Sequence, residues 1–235
     1  MKRAIALLAC LALLALGGCA LPRNGVKWTT IDLLDEAYAD VKAWLSRCRD
    51  ESFLVDRGSV DLTDTYELAW DWDQVFLNDK RTNESKPILD GMRLLGFQAL
   101  RGDYAYLSNA WGEDSPPSGK IRLIRIDLTK LPDIEYIDLL EGVRWAQFGA
   151  ITPHSRLSPE GKTFVVVRER SITLSGDDRV DIYDLESRRF LATVPGTASR
   201  GRCYYYDENT IYYPIFEHDE NGFAVYSKAI KITLP

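Results

Sequence analysis

The chain is short of the residues from which most active sites are built. Two histidines, four cysteines and two methionines occur among 235 residues. Neither His154 nor His218 belongs to a His-Glu-x-x-His pair or neighbours a Gly-x-Ser-x-Gly elbow, which leaves out two common hydrolase signatures. No Gly-x-x-x-x-Gly-Lys loop or dinucleotide fingerprint occurs either. Neither Cys48 nor Cys203 has a second cysteine or histidine at ligand spacing, so no metal is expected. Positive charge is also in deficit, with 29 basic against 35 acidic residues. That balance argues against nucleic acid, which demands basic grooves, and against lying flat on anionic lipid. Carboxylates are plentiful enough for a glycosidase pair, but dispersed surface acids more often form a solvated face. The reading is a non-enzyme without a cofactor.

Long apolar runs are scarce as well. The single one covers residues 4–16, thirteen residues behind the positive stretch Met1-Lys2-Arg3. Spanning a bilayer takes about 20 apolar residues, so this run suits a signal peptide better than a membrane helix. It ends in Leu16-Gly17-Gly18-Cys19. That order resembles the lipobox of bacterial lipoproteins, in which the cysteine is acylated and becomes the new N-terminus. An ordinary secretory peptide cut near a cysteine is the alternative. The resemblance implies a signal peptide at 1–18, lipidation at Cys19 and a short tether at 19–29. Two or three acyl chains hold a protein at a membrane almost permanently, so the lipid would be its only membrane contact. Ala20, rather than Asp, follows the cysteine. In Gram-negative lipoproteins that residue implies the outer membrane, facing the periplasm.

Cleavage after residue 18 removes two bases and leaves 27 basic against 35 acidic residues. What remains is long enough for one well-buried domain, 30–235. With Cys10 removed and Cys19 acylated, Cys48 and Cys203 are left, 155 residues apart. In an oxidising compartment two such thiols most often pair, and a bond closing that loop would contribute about 4–5 kcal/mol at most. Two unrelated buried thiols remain the other possibility.

The domain opens with a helix, expected over 32–48. Leu33, Leu34, Ala37, Val41, Trp44, Leu45 and Cys48 recur at steps of three and four and make one apolar stripe. Thr30 or Asp32 can cap it. From residue 52 onward the pattern becomes that of strands. "TYELAWDW" alternates, placing Tyr66, Leu68, Trp70 and Trp72 on one face. Such a row is usually core, although it could serve as a platform for sugar rings.

The second half carries a repeat. In "RLSPEGKTFVVV", Ser158-Pro159-Glu160-Gly161-Lys162 supplies turn chemistry, and a β-branched strand follows. This resembles the Ser-Pro-Asp-Gly-Lys signature of WD40-like and TolB-type β-propeller repeats, with Glu160 in place of the aspartate. Strands at 180–185 and 190–194 continue the unit. A shift of 57 residues lays Asp127 on Asp184, Leu128 on Leu185, Ile134 on Leu191 and Ile137 on Val194. A third copy pairs strands at 209–216 and 223–234 around Asn221-Gly222, which is hairpin chemistry. Glu217, Asp219 and Asn221 fit the start of a calcium loop, but Lys228 stands where its bidentate glutamate belongs.

Four-stranded repeats of this size imply a propeller, yet the length allows roughly four blades. The expectation is a mainly β, small or partial β-propeller-like domain preceded by one amphipathic α-helix. A Cys48–Cys203 bond would then act as a clasp. Such a domain suits a membrane-anchored interaction module of the bacterial envelope, with an envelope protein as its partner. An immunity lipoprotein against a toxin and a carbohydrate-binding protein are the alternatives.

Overall fold

The computed structural model describes residues 24–50, 58–71, 74–89, 96–108, 122–141, 154–168, 179–196, 202–218 and 224–235. Strand β1 (Lys27–Asp32) comes first, followed by a 3-10 turn at Glu36–Tyr38 and helix α1 (Ala39–Asp50). The first sheet comprises β2 (Gly58–Asp61), β3 (Tyr66–Trp70), β4 (Val75–Asp79) and β5 (Glu84–Ile88). The second comprises β6 (Gly96–Arg101), β7 (Tyr104–Ser108), β8 (Leu123–Asp127) and β9 (Tyr136–Asp138). In the third are β10 (His154–Leu157), β11 (Thr163–Arg168), β12 (Arg179–Asp184) and β13 (Arg189–Pro195). The chain closes with β14 (Tyr204–Tyr205), β15 (Thr210–His218) and β16 (Ala224–Thr233).

Each of the first three sheets is an antiparallel meander in chain order. The fourth is completed from the other end of the chain, in the order β1-β16-β15-β14, with Lys27 opposite Thr233 and Asp32 opposite Lys228. These four-stranded meanders are the blades of a partial β-propeller. β-branched and aromatic residues supply the buried faces, and alternation sends successive side chains to opposite neighbours. In β11, Val165 and Val167 face the fourth sheet while Phe164 and Val166 face the second. Core clusters join the first sheet to the second, the second to the third and the third to the fourth. A fourth cluster seats α1 on the outer face of the last sheet through Leu33, Val41, Leu45 and Cys48, against Ile31, Tyr204, Tyr212 and Tyr226.

The helix therefore occupies the place a fifth blade would take. On its other side Asp40, Ala43, Ser46 and Arg47 are exposed. At the opposite end of the arc the outer face of the first sheet carries exposed Ser59, Asp61, Ser85 and Pro87. It also carries a hydrogen bond from Asn78 Nδ2 to Glu67 Oε2 of 2.9 Å. Stacked units of this kind need terminal faces that tolerate water, and here a helix and a polar sheet face provide them.

Several expectations shift. The helix begins later than residue 32, because Lys27–Asp32 pairs with β16 and takes up the last residues of the segment assigned to a tether. Asp35, not Thr30 or Asp32, caps the turn that leads into α1, accepting from Ala37 N at 2.9 Å. Leu34 leaves the stripe and is 67% exposed. No disulfide is present among the described residues, and Cys48 and Cys203, both buried, fall in different core clusters. Cys203 and Tyr205 point toward the third sheet, whereas Tyr204 points toward α1 and Cys48. The sheet stands between the two thiols. What joins the chain ends is the β1–β16 ladder. Cys19 lies outside the described residues.

Candidate functional site

The two ends of the blades differ. At one end lie the turns after the first and third strand of each blade: 62–65, 80–83, 102–103, 158–162, 185–188 and 206–209, none longer than five residues. A seventh, 128–135, carries its own 3-10 turn at Leu128–Lys130. Aspartates at the ends of the third strands set several of these. Asp79 Oδ1 accepts from Arg81 N at 2.8 Å, Asp127 Oδ1 from Thr129 N at 2.9 Å and Asp184 Oδ1 from Ser187 N at 2.6 Å. Asp127 and Asp184 are the pair matched by the 57-residue shift. Asp79 is their counterpart in the first blade, 48 residues before Asp127 and so off the 57-residue shift. Hydrogen bonds from Arg81 and from Thr129 hold the Asp79 and Asp127 carboxyls below the usual carboxylate range.

The Ser158–Lys162 turn is built as its sequence requires. Gly161 has φ +75°, and Ser158 Oγ accepts from Lys162 N and Thr163 N at 3.0 Å each. Glu208, from the first turn of the fourth blade, locks it. One carboxylate oxygen accepts from Ser158 Oγ at 2.6 Å and the other from Glu160 N at 2.7 Å. Beside this latch the Thr163 and Tyr205 hydroxyls share a hydrogen bond of 2.8 Å. Burial pushes the Tyr205 phenol well above its ordinary value.

The far end of the blades is where the second-to-third-strand and blade-to-blade connections depart. They include 109–122, 139–153 and 169–178, most of whose residues lie outside the described ones. Beneath that end, between the second and third blades, the strands bury a polar row. Gln98 sits in a bulge between Phe97 and Ala99, which re-aims its amide across the interface to Ser155 Oγ at 3.3 Å. The Ser108 and Ser155 hydroxyls lie 3.4 Å apart. Asp181, fully buried, accepts from Thr193 Oγ1 at 2.6 Å. On the other face of the same strands the Arg156 guanidinium covers the Tyr204 ring at 5.4 Å. Burial pushes the Cys203 thiol up to about 12, with Arg156 drawing it partly back.

A groove of about 470 Å³ lies on the outer part of the second blade, lined by Tyr104, Arg125, Asp127 and residues 134–137. Its floor is Arg125 stacked on Tyr104 at 4.5 Å, and Tyr136 and Ile137 are exposed on the edge strand.

The residues picked out from sequence fall apart in space. Leu68 and Trp70 are buried between the first two blades with Tyr66 packed against them, and Trp70 stacks on Phe97 at 5.7 Å. These rings are core and offer no open platform for a sugar, while Trp72 lies outside the described residues. Strands β15 and β16 pair up to His218 and Ala224, as the hairpin reading requires, with 219–223 outside the described residues. Among the described residues no three His, Cys, Asp or Glu side chains group to hold a metal ion, and no helix is long and apolar enough to cross a membrane.

No family model matches the sequence, and no curated protein matches it significantly. Several solved structures follow a similar chain path. The β-propeller domain of the Trilobed protease from Pyrococcus furiosus shares 9% identity at TM-score 0.45, over 76% of this chain and 55% of that one. Hydrazine synthase from Kuenenia stuttgartiensis shares 17% at TM-score 0.41, over 66% and 42%. Apo AztD from Citrobacter koseri shares 15% at TM-score 0.39, over 78% and 52%. This chain spans about half the length of these structures, and at such identities the likeness is one of chain path alone.

Proposed function

We propose that the protein is a non-catalytic interaction module, anchored through Cys19 in the bacterial envelope, which receives a protein partner at the far end of its blades. The observation that supports this is the asymmetry of the two ends. The turn end is tied down by short, internally bonded turns and by the Glu208 latch. The far end carries the long connections above the polar row of Gln98, Ser108 and Ser155. Loops set on a scaffold of strands are where recognition is commonly placed. The lipid would hold the domain on the periplasmic side of the outer membrane in a Gram-negative cell. Its acidic surface suits a partner with a basic one.

The test is site-directed photo-crosslinking in intact cells. A photoreactive residue at Val225, 40% exposed at the far end of β16, should yield a discrete heavier adduct. The same residue at exposed Asp103, in a turn, should not. Adducts from Asp103 alone, or from neither position, would overturn the assignment. Palmitate-analogue labelling that vanishes in Cys19→Ser checks the anchor separately.

A further inference from the structure

The way the N-terminus enters the fold fixes which end of the domain can meet the membrane. Strand β16 runs from the far end toward the turn end, so its antiparallel partner β1 starts at the turn end, with Lys27 opposite Thr233. The residues just before β1 are pinned there. Val26 is buried in the core between the third and fourth blades. Asn24 Nδ2 donates to Leu191 O at 3.2 Å, on the third blade. A Cβ on Gly25 would meet Pro235 at 3.0 Å, and Gly25 takes φ +84°, so the chain passes close against the C-terminus. The described chain therefore begins, at Asn24, at a defined point of the turn end.

Resting on the reading that Cys19 carries the lipid, we infer that the turn end faces the bilayer and the far end is presented away from it. Asn24 is five positions after Cys19, and a fully extended chain covers about 3.3–3.6 Å per residue, so the leash reaches about 18 Å at most. The far end stands off by the blade height as well. Strand β12 alone has six residues, which adds about 20 Å. Charge adds no opposing pull. The seven turns at this end carry Asp64, Asp103, Asp133, Glu135, Glu160, Glu186, Asp207 and Glu208 against Lys80, Arg81, Lys130, Lys162 and Arg188, a net acidic balance. An acidic surface is not drawn onto anionic headgroups, so the lipid alone sets the distance. The partner that the far end suits is consequently one standing in the aqueous compartment or on the facing structure, not one embedded in the same leaflet.

The experiment uses the full chain, lipidated in a bacterial host and reconstituted into phosphatidylethanolamine–phosphatidylglycerol vesicles containing a headgroup-nitroxide lipid. A fluorophore is placed at Glu186→Cys or at Arg179→Cys, exposed positions at the turn end and far end of the third blade. Cys48 and Cys203 are buried, and the chain without an added cysteine is the labelling control. The expected result is loss of fluorescence at position 186 and none at 179. Equal loss at both, or loss at 179 alone, overturns the orientation while leaving the anchor standing. Protein that stays in the supernatant when the vesicles are pelleted overturns the anchor and the orientation together. Quenching at 186 that persists in high salt supports attachment by lipid; quenching that salt abolishes overturns it in favour of charge.

Discussion

Replacing Ser158 by alanine should loosen the joint between the third and fourth blades. The side chain is fully buried and its hydroxyl has three partners. It donates to the Glu208 carboxylate at 2.6 Å and accepts from the backbone N–H of Lys162 and of Thr163. Alanine leaves those two donors without an acceptor. A buried donor left unmade costs about 1–3 kcal/mol, and a hydrogen bond to a charged group contributes about 1.5–3 kcal/mol. Thr163 N is buried and bears the full cost, whereas Lys162 N and Glu208 are only partly buried and bear less. The net expectation is a loss of about 2–3 kcal/mol. For a domain of this size each kcal/mol moves the melting point by about 2–4 °C, so Tm should fall by roughly 4–12 °C. Urea unfolding of the chain lacking residues 1–18 measures it. Ser187→Ala, which removes a comparable hydroxyl from an exposed turn, should lie within about 0.5 kcal/mol of the parent. Combining Ser158→Ala with Glu208→Ala should recover about 1 kcal/mol of coupling, since the two groups share one interaction. A Ser158→Ala cost below about 0.5 kcal/mol, or strict additivity with Glu208→Ala, would refute the latch.

In a chain starting at Asn24, Ellman's reagent should count no reactive thiol in the folded protein at pH 8 and two on unfolding without reductant; none on unfolding would show that Cys48 and Cys203 are bonded after all. Acid should destabilise the fold through Asp79, Asp127 and Glu67, whose carboxyls are held low by Arg81, Thr129 and Asn78. A lowered folded value means that the unfolded chain binds more protons as pH falls, so this stability is present above about pH 4 and lost below it. Thermal melts from pH 7 to 3 should therefore decline less steeply in Asp79→Asn/Asp127→Asn, and an unchanged slope would refute the contribution.

Much of the third blade was legible because its turn chemistry is local. Ser158, Gly161 and the β-branched run that follows specify a hairpin whatever surrounds them. The 57-residue shift was legible for a related reason, since Asp127 and Asp184 each cap their own turn. The first blade was not, because Asp79 does the same work at a spacing of 48 residues from Asp127, not 57. The helix boundary was misread because residues 27–32 carry too weak a pattern to announce that they pair with a strand 200 residues away. Where the two thiols sit was not legible, because Cys203 and Tyr204 are adjacent in sequence yet join different core clusters. The polar row of Gln98, Ser108 and Ser155 had no signal to find, as it arises from a bulge and from two strands that meet only in the folded chain.

The β1–β16 ladder also imposes an order of events. Strand β1 leaves the ribosome before the other strands described, yet Thr233, the partner of Lys27, follows 206 residues later. Until β15 and β16 exist, β1 has no ladder and the apolar stripe of α1 has no sheet to cover. Pairing at such separation is slow, because the closure entropy must be met before any contact rewards it. The first three blades can condense one after another as they emerge, but the fourth must wait until β16 has emerged. A nascent or partly translocated chain that lacks β16 is thereby kept without this blade. The same dependence makes β16 a checkpoint: its loss would unseat β1 and the helix together, and the defect would register some 200 residues earlier in the sequence.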